Sequence, residues 1–299
     1  MDSIERKDLN TEQQNANSAN IDALSVREIL QAINHEDRSI ADKIADSIDA
    51  IEQTVEICTH AIKDGGRIYY IGAGTSGRLG VLDASEIPPT FSAPSNLFTG
   101  IIAGGDKALR KSIEGAEDSA EQAVIDLKSA KVQSGDVLIG ISTSGAAKYV
   151  QSALNYAKSV NLKTVYLLCN TTPFLKANTD VTISIDTGAE IITGSTRMKG
   201  GTATKMVLNM ISTTCMIRLG KVYGNLMVDL MAVNEKLVDR GVRVIMQLTK
   251  HNYEQAKEVL KKSDMSVKTA IVMIHHSCDL GEARRLIDEN NGILRNIIR

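Results

Sequence analysis

Ile68-Tyr69-Tyr70-Ile71-Gly72-Ala73-Gly74-Thr75-Ser76-Gly77-Arg78-Leu79-Gly80 is the stretch that decides the fold. Four β-prone apolar and aromatic residues run without interruption into a glycine-rich turn, and a helix is expected behind it. An unbroken apolar run, rather than an alternating one, is what a strand buried on both faces of a parallel sheet looks like. Four more runs share this character: Leu97–Ile102, Val137–Ile141, Thr164–Leu168 and Val181–Ile185. Stretches with helical spacing separate them, notably Ser119 to Lys131 and Lys148 to Ser159. Strand and helix in alternation predict a layered α/β sandwich around a five-stranded parallel sheet.

Outward from this centre the pattern changes. The first twenty residues are rich in Asn, Gln, Ser and Glu, carry no apolar period and read as a flexible arm, one that can still order against a neighbour or a ligand. Ser25-Val26-Arg27-Glu28 fits a capping box opening a short helix through Ile33. A longer helix is expected from Ile40, Ile44, Ile48, Ile51, Val55, Cys58 and Ile62, which keep one stripe, with Gly65-Gly66 as its stop. From Met198 to Gly220 the chain reads as a helix rich in small residues. Beyond Gly220 no strand is expected, and Val228 to Val238 looks helical. The organisation expected is therefore an amino-terminal arm with helices over 1–57, an α/β domain over 58–221 and a small all-helical region over 222–299.

Composition narrows the function. Of 299 residues, 34 are basic and 36 acidic, and the net charge of −2 argues against a nucleic-acid surface, which needs clustered Lys and Arg. Aromatic residues are 3% and Trp is absent, which leaves little for stacking on bases. No apolar run approaches the roughly 20 residues that span a bilayer, and the start of the chain does not read as a secretory signal. Four cysteines lie far apart without a CxxC, which fits a reducing cytoplasm better than a disulfide framework or a zinc site. His275-His276 has no acidic or Cys partner at metal spacing and reads as packing or surface. No metal or cofactor is expected.

In an open parallel sheet ligands bind beyond the carboxyl ends of the strands. Three exits are conspicuous. Gly72-x-Gly74-x-x-Gly77 has the dinucleotide spacing, but the acid expected about 20 residues on is missing, since 92–97 read Ser-Ala-Pro-Ser-Asn-Leu. Gly74, Thr75 and Ser76 therefore read as an anion loop at a helix start. Ser142, Thr143, Ser144 and Gly145 form a second such loop, with three hydroxyls. The third, Gly194 to Gly200, offers Ser195 and Lys199. Each alone is an ordinary helix cap; together they favour a phosphorylated small molecule over a nucleotide. Carboxylates are the second signal. Glu86 precedes Pro88-Pro89, which places it at a loop edge, and Glu114-Gly115-Ala116-Glu117-Asp118 reads as a turn. A random Glu is usually a solvated side chain, and spacing does not choose between Glu114, Glu117 and Asp118. Two carboxylates near phosphate loops allow paired acid–base chemistry.

With these motifs assembled, the sequence resembles the bacterial N-acetylmuramic acid 6-phosphate etherases over nearly its whole length. The resemblance rests on Ile21–Ser25, Ile71–Gly80, Asp83–Thr90, Ala103–Gly105, Glu114–Asp118, Thr193–Lys199 and Gly224–Asp229. The broader relatives are sugar isomerase (SIS) domains, with a three-layer sandwich and a five-stranded parallel sheet. The resemblance implies lyase-type cleavage of a lactyl ether by elimination and then hydration, without a cofactor, acting on a small sugar phosphate in the cytoplasm. It implies that Glu86 donates a proton and that Glu117 is catalytic, assigned here as the base. It also implies phosphate contact through Ser142-Thr143-Ser144-Gly145. The wider superfamily often has a Thr three positions after the second Ser; here Ala147 stands there, and Lys148 or another loop would have to compensate. A homodimer is expected, and neither nucleic acid nor membrane as a partner. Two rivals are a sugar-phosphate-sensing regulator, which need not keep both carboxylates, and an aldose–ketose isomerase, which has no reason to keep the etherase motifs.

Overall fold

The computed structural model describes residues 8–230 and 234–298. Two compact units divide the chain: one up to Ser85 together with Asn96–Ser212, the other Glu86–Ser95 together with the chain from Thr213.

The first unit is built on five parallel strands in the order β2-β1-β3-β4-β5: β1 (Ile68–Gly72), β2 (Phe98–Ile102), β3 (Val137–Ile141), β4 (Lys163–Leu168) and β5 (Val181–Ser184). Register runs Ile68 beside Phe98 on one side and Val137 on the other, then Val137 beside Lys163 and Val165 beside Val181. The strands are buried because both faces are covered. Tyr69, Ile71, Leu138, Tyr166 and Leu168 join Leu127 of α6 (Ala120–Ser129) and Tyr149, Val150 and Leu154 of α7 (Lys148–Ser159). On the opposite face α4 (Gly74–Phe91) comes so close that a Cβ added at Gly80 would lie 2.9 Å from Tyr70 Cβ. A Cβ at Gly77 would lie 2.6 Å from the Gly72 carbonyl oxygen, so the turn out of β1 requires glycine.

Amino-terminal to the sheet lie α1 (Val26–Arg38), α2 (Ile40–Ala45) and α3 (Ile48–Lys63). The capping box is present: Glu28 N–H donates to Ser25 Oγ and Ser25 N–H donates to Glu28 Oε2. The helix it opens runs on to Arg38, past the Ile33 expected. The long helix expected from Ile40 to Ile62 is broken at Asp46-Ser47. Ser47 Oγ donates to the Ser184 carbonyl, and Ile48 is left exposed while Ile44 and Ile51 stay buried. A periodic stripe does not register a break whose cause is a hydrogen bond to a distant strand.

From Asp8 onward the arm is docked, while residues 1–7 lie outside the described residues. Residues 10–12, 16–18 and 21–23 form 3₁₀ turns, with Leu9 and Thr11 buried. Asn10 donates to Asp186, Asn15 to the Ala189 carbonyl, Ser18 to the Ile191 carbonyl, and the Gly194 N–H to the Thr11 carbonyl. Polar side chains satisfying backbone groups hold this segment, so it carries no apolar period.

Glu86 is not at a loop edge. The helix α4 continues through Pro88 and Pro89 to Phe91, so Glu86 stands within it, exposed. Proline lacks an N–H and clashes with the carbonyl four residues back, yet here it bends the expectation rather than the boundary.

In the second unit α8 (Lys199–Arg218), whose first fourteen residues belong to the first unit, leads into a hairpin of two short antiparallel strands, β6 (Val222–Tyr223) and β7 (Leu226–Met227), where no strand was expected. Val228 to Leu230 are not helical, residues 231–233 lie outside the described residues, and α9 begins at Glu235. Four helices follow: α9 (Glu235–Leu248), α10 (Tyr253–Lys262), α11 (Val267–His276) and α12 (Leu280–Glu289). They pack around Val242, Ile245, Leu260, Ile271 and Ala283. Lys268 is buried here, donating to Asp229 and to the Gly220 and Gly292 carbonyls, and burial pushes its ammonium below the usual lysine range. His275 and His276 each meet a backbone carbonyl, of Leu248 and Ile297.

Candidate active site

The order β2-β1-β3 reverses direction at β1, and the crevice opened by such a reversal lies beyond the carboxyl ends of β1 and β3. A cavity of about 270 Å³ occupies that crevice. The turn after β1 supplies Ala73, Gly74, Thr75 and Ser76; the turn after β3 supplies Ser142, Thr143, Ser144, Ala146 and Ala147. Glu117, Gly194, Thr196, Leu9 and Glu12 close the remaining walls.

Its chemistry is that of an anion seat beside acceptors. Six hydroxyl side chains line it, Thr75, Ser76, Ser142, Thr143, Ser144 and Thr196, and Ser76 Oγ lies 3.5 Å from Thr143 Oγ1. Two helices begin at its edge. The helix α4 starts at Gly74, and α7 follows Ala147, a cap residue whose side chain accepts nothing. The first N–H groups of a helix have no partner within it and carry partial positive charge, so they favour an oxyanion. Ala147 thus removes a hydroxyl and leaves the start of α7 free of a competing side-chain acceptor. Lys148 is exposed and outside the cavity wall.

The carboxylate turn is explicit in the geometry. Gly115 takes a left-handed conformation (φ 72°) and starts the 3₁₀ turn Ala116–Asp118. Ala116 packs on the apolar layer beneath α7. Arg78 on α4 braces the short helix α5 (Asp106–Arg110) at its end, donating to the Leu109 and Lys111 carbonyls. Of the three acids that spacing left open, Glu117 lines the main cavity and also an adjoining one of about 180 Å³; Glu114 lines the second only, and Asp118 lines neither.

Other residues singled out in the sequence lie elsewhere. Gly145 is buried beneath the loop (φ 72°), where an added Cβ would meet Pro173 at 2.6 Å, so it shapes the turn. Ser195 sits between two lining residues without lining the cavity itself. Lys199 is withdrawn from the site: it is buried and its Nζ donates to Glu36 Oε2 at 2.6 Å, tying α8 to α1. Burial raises the Glu36 carboxyl, but hydrogen bonds from Lys199, Asn17 and Asn15 outweigh it and hold the group at about 2. The third loop does not offer a helix start to an anion. Glu190, fully buried, accepts from the Lys199 and Gly200 N–H groups and occupies the start of α8.

Glu86 lines neither cavity. At 1.5 Å per residue it lies about 18 Å along the α4 axis from Gly74. One turn earlier, Asp83 is buried and anchors that helix: it accepts from Tyr70 Oη, Asn209 Nδ2 and Ser212 Oγ. Burial pushes its carboxyl above the ordinary aspartate value against the pull of those donors. Glu12 and Thr196 are the lining residues with polar side chains that the sequence-chosen site leaves out. Thr196 adjoined a residue already chosen, whereas Glu12 sits in a segment whose docking no local pattern announces.

Comparison with known proteins adds the family. The profile described as "SIS domain" matches residues 114–213, and that described as "Glucokinase regulatory protein N-terminal SIS domain" matches residues 50–158. Among solved structures, a phosphoheptose isomerase from Francisella tularensis superposes with a TM-score of 0.50 at 17% identity, over 64% of this chain and 100% of its own; this likeness concerns the fold. The N-acetylmuramic acid 6-phosphate etherase of Bacillus mycoides is 47% identical over 98% of this chain and 99% of its own length. That of Bacillus cytotoxicus is 46% identical over 97% and 99%. Identity of this extent, spanning both units, shows that the chain belongs to the N-acetylmuramic acid 6-phosphate etherase family.

Proposed function

We propose that the chain cleaves the D-lactyl ether of N-acetylmuramic acid 6-phosphate, giving N-acetylglucosamine 6-phosphate and D-lactate, in the recycling of cell-wall amino sugars. The observation that carries this reading is a carboxylate, Glu117, on the wall of the same cavity as six hydroxyls and two helix starts. Phosphate is held by Thr75, Ser76 and Ser142–Ser144 with the N–H groups at the starts of α4 and α7.

In the open-chain sugar the carbon 2 proton is acidified by the neighbouring aldehyde. Glu117 removes it, and the electron pair passes through an enolate to expel the lactyl oxygen from carbon 3. That carbon–oxygen bond breaks as Glu86 delivers a proton to the leaving lactate. Water then adds to carbon 3 of the unsaturated aldehyde while a proton returns to carbon 2. Each proton transfer assisted in this way is typically worth about 10²–10⁴-fold in rate.

Glu86 lies outside the cavity of its own chain, yet it is exposed. In this reading the protein works as a homodimer in which Glu86 of the partner subunit completes each site. Two-fold symmetry delivers the same residue to both cavities. The reaction belongs in the cytoplasm, because a sugar phosphate dianion does not cross a bilayer unaided. Among the described residues no helix is long and apolar enough to cross a membrane.

Incubation of the purified protein with N-acetylmuramic acid 6-phosphate in oxygen-18 water tests the reading. D-lactate is released and the label enters the sugar at carbon 3. Label in the lactate, or no lactate at all, overturns it.

A further inference from the structure

We infer that Glu12, on the docked amino-terminal segment, is a specificity-determining residue that accepts a hydrogen bond from a neutral N–H or O–H group of the sugar. The inference rests on the sugar-phosphate reading above. Glu12 ends the 3₁₀ turn Asn10–Glu12, and its neighbours fix that turn: Leu9 and Thr11 are buried, Glu12 N–H donates to the Leu9 carbonyl, and the Thr11 carbonyl accepts from Gly194 N–H. Its Oε2 lies 3.3 Å from where a Cβ on Gly194 would stand, so the left-handed glycine there leaves the carboxylate its space. The side chain lines the cavity, and no described residue gives it a hydrogen bond or an ion pair.

A carboxylate accepts and does not donate, so beside a seat built of hydroxyls and N–H groups it repels a phosphate rather than binding it. What it can receive is a donor on the rest of the ligand. An amino sugar carries such donors beyond its phosphate, in its amide N–H and its chain hydroxyls, whereas inorganic phosphate in the seat has nothing that extends to Glu12. Glu12 therefore separates the two in opposite directions: it strengthens the hold on the sugar phosphate and weakens the hold on bare phosphate.

The test measures binding of N-acetylglucosamine 6-phosphate and of inorganic phosphate, by calorimetry, to the wild type, Glu12→Gln and Glu12→Ala. Loss of a charged hydrogen bond is expected to weaken the sugar phosphate by about 10-fold or more in Glu12→Ala, with Glu12→Gln between it and the wild type. Phosphate alone is expected to bind both variants at least as tightly as the wild type. In turnover of N-acetylmuramic acid 6-phosphate the change falls mainly on KM. The inference is overturned if both ligands weaken by the same factor, which would mark mere disruption of the pocket, or if neither changes. Wild-type protein that binds the sugar phosphate but releases no lactate refutes the etherase reading while leaving the Glu12 comparison decisive.

Discussion

Mixing two inactive variants tests where Glu86 acts. Glu86→Gln and Glu117→Gln each remove one ionisable group from an exposed side chain, so neither is expected to change stability by more than about 0.5 kcal/mol. Each alone is expected to lower kcat by about 10²–10⁴-fold. Glu117 lines the cavity of its own chain, whereas Glu86 stands about 18 Å along α4 from the start of that helix. If each site draws Glu117 from one chain and Glu86 from the other, a hybrid dimer of the two variants has one site with both acids and one with neither. Free exchange makes about half the dimers hybrid, so about a quarter of all sites regain both groups. Lactate release, measured after the two proteins have been mixed at equal concentration and allowed to exchange subunits, is therefore expected to rise from near background to about a quarter of the wild-type rate. If both acids served the same site from one chain, no hybrid would contain an intact site and the mixture would stay at the level of the separate variants. That result, with exchange verified by tagged subunits, refutes the shared site.

Four further outcomes follow from the geometry. Ser144→Ala removes one hydroxyl from the seat and is expected to weaken inorganic phosphate and N-acetylglucosamine 6-phosphate alike, by about 10-fold in calorimetric titration. Asp83→Ala removes the acceptor shared by Tyr70, Asn209 and Ser212 and is expected to cost about 2–4 kcal/mol in denaturant unfolding, whereas Asp83→Asn costs less. The Glu36 carboxyl sits near 2, below its ordinary value of about 4.3, so its contribution to stability is complete above that value and is lost as pH falls from there toward 2. Glu36→Gln is then expected to flatten the fall in Tm over this window; an unchanged slope would show that the bond to Lys199 carries no stability. Lys268→Met leaves the Gly220 and Gly292 carbonyls without their donor, and protection of α11 amides in hydrogen exchange is expected to drop while that of β1 and β3 is kept.

The sheet was legible because burial on both faces writes itself as unbroken apolar runs, and all five runs became neighbouring strands within a residue or two at each end. The two loops at the reversal were legible as strand exits feeding helices, and both line one cavity. What escaped was set by contacts distant in sequence. Lys199 looked like a cation in a phosphate loop, but its charge is spent on Glu36, 163 residues away. Glu190 drew no notice, although it takes the N–H groups that made the third loop attractive. The prolines after Glu86 suggested a boundary that the anchored helix overrides. Glu12 lay in a segment without period, whose order comes from amides and hydroxyls meeting backbone groups.

Occupation of the α8 start by Glu190 has a consequence for direction. With that terminus taken, the proposed phosphate seat is confined to the β1 and β3 exits, and a phosphorylated hexose anchored there would enter in one orientation. Every carbon then stands at a fixed remove from the anchored end, and a reaction at carbons 2 and 3 becomes a matter of reach from carbon 6. An enzyme arranged like this selects which bond to break by counting along the chain of its ligand, so a sugar phosphorylated at carbon 1 would present the wrong carbons to the same acids.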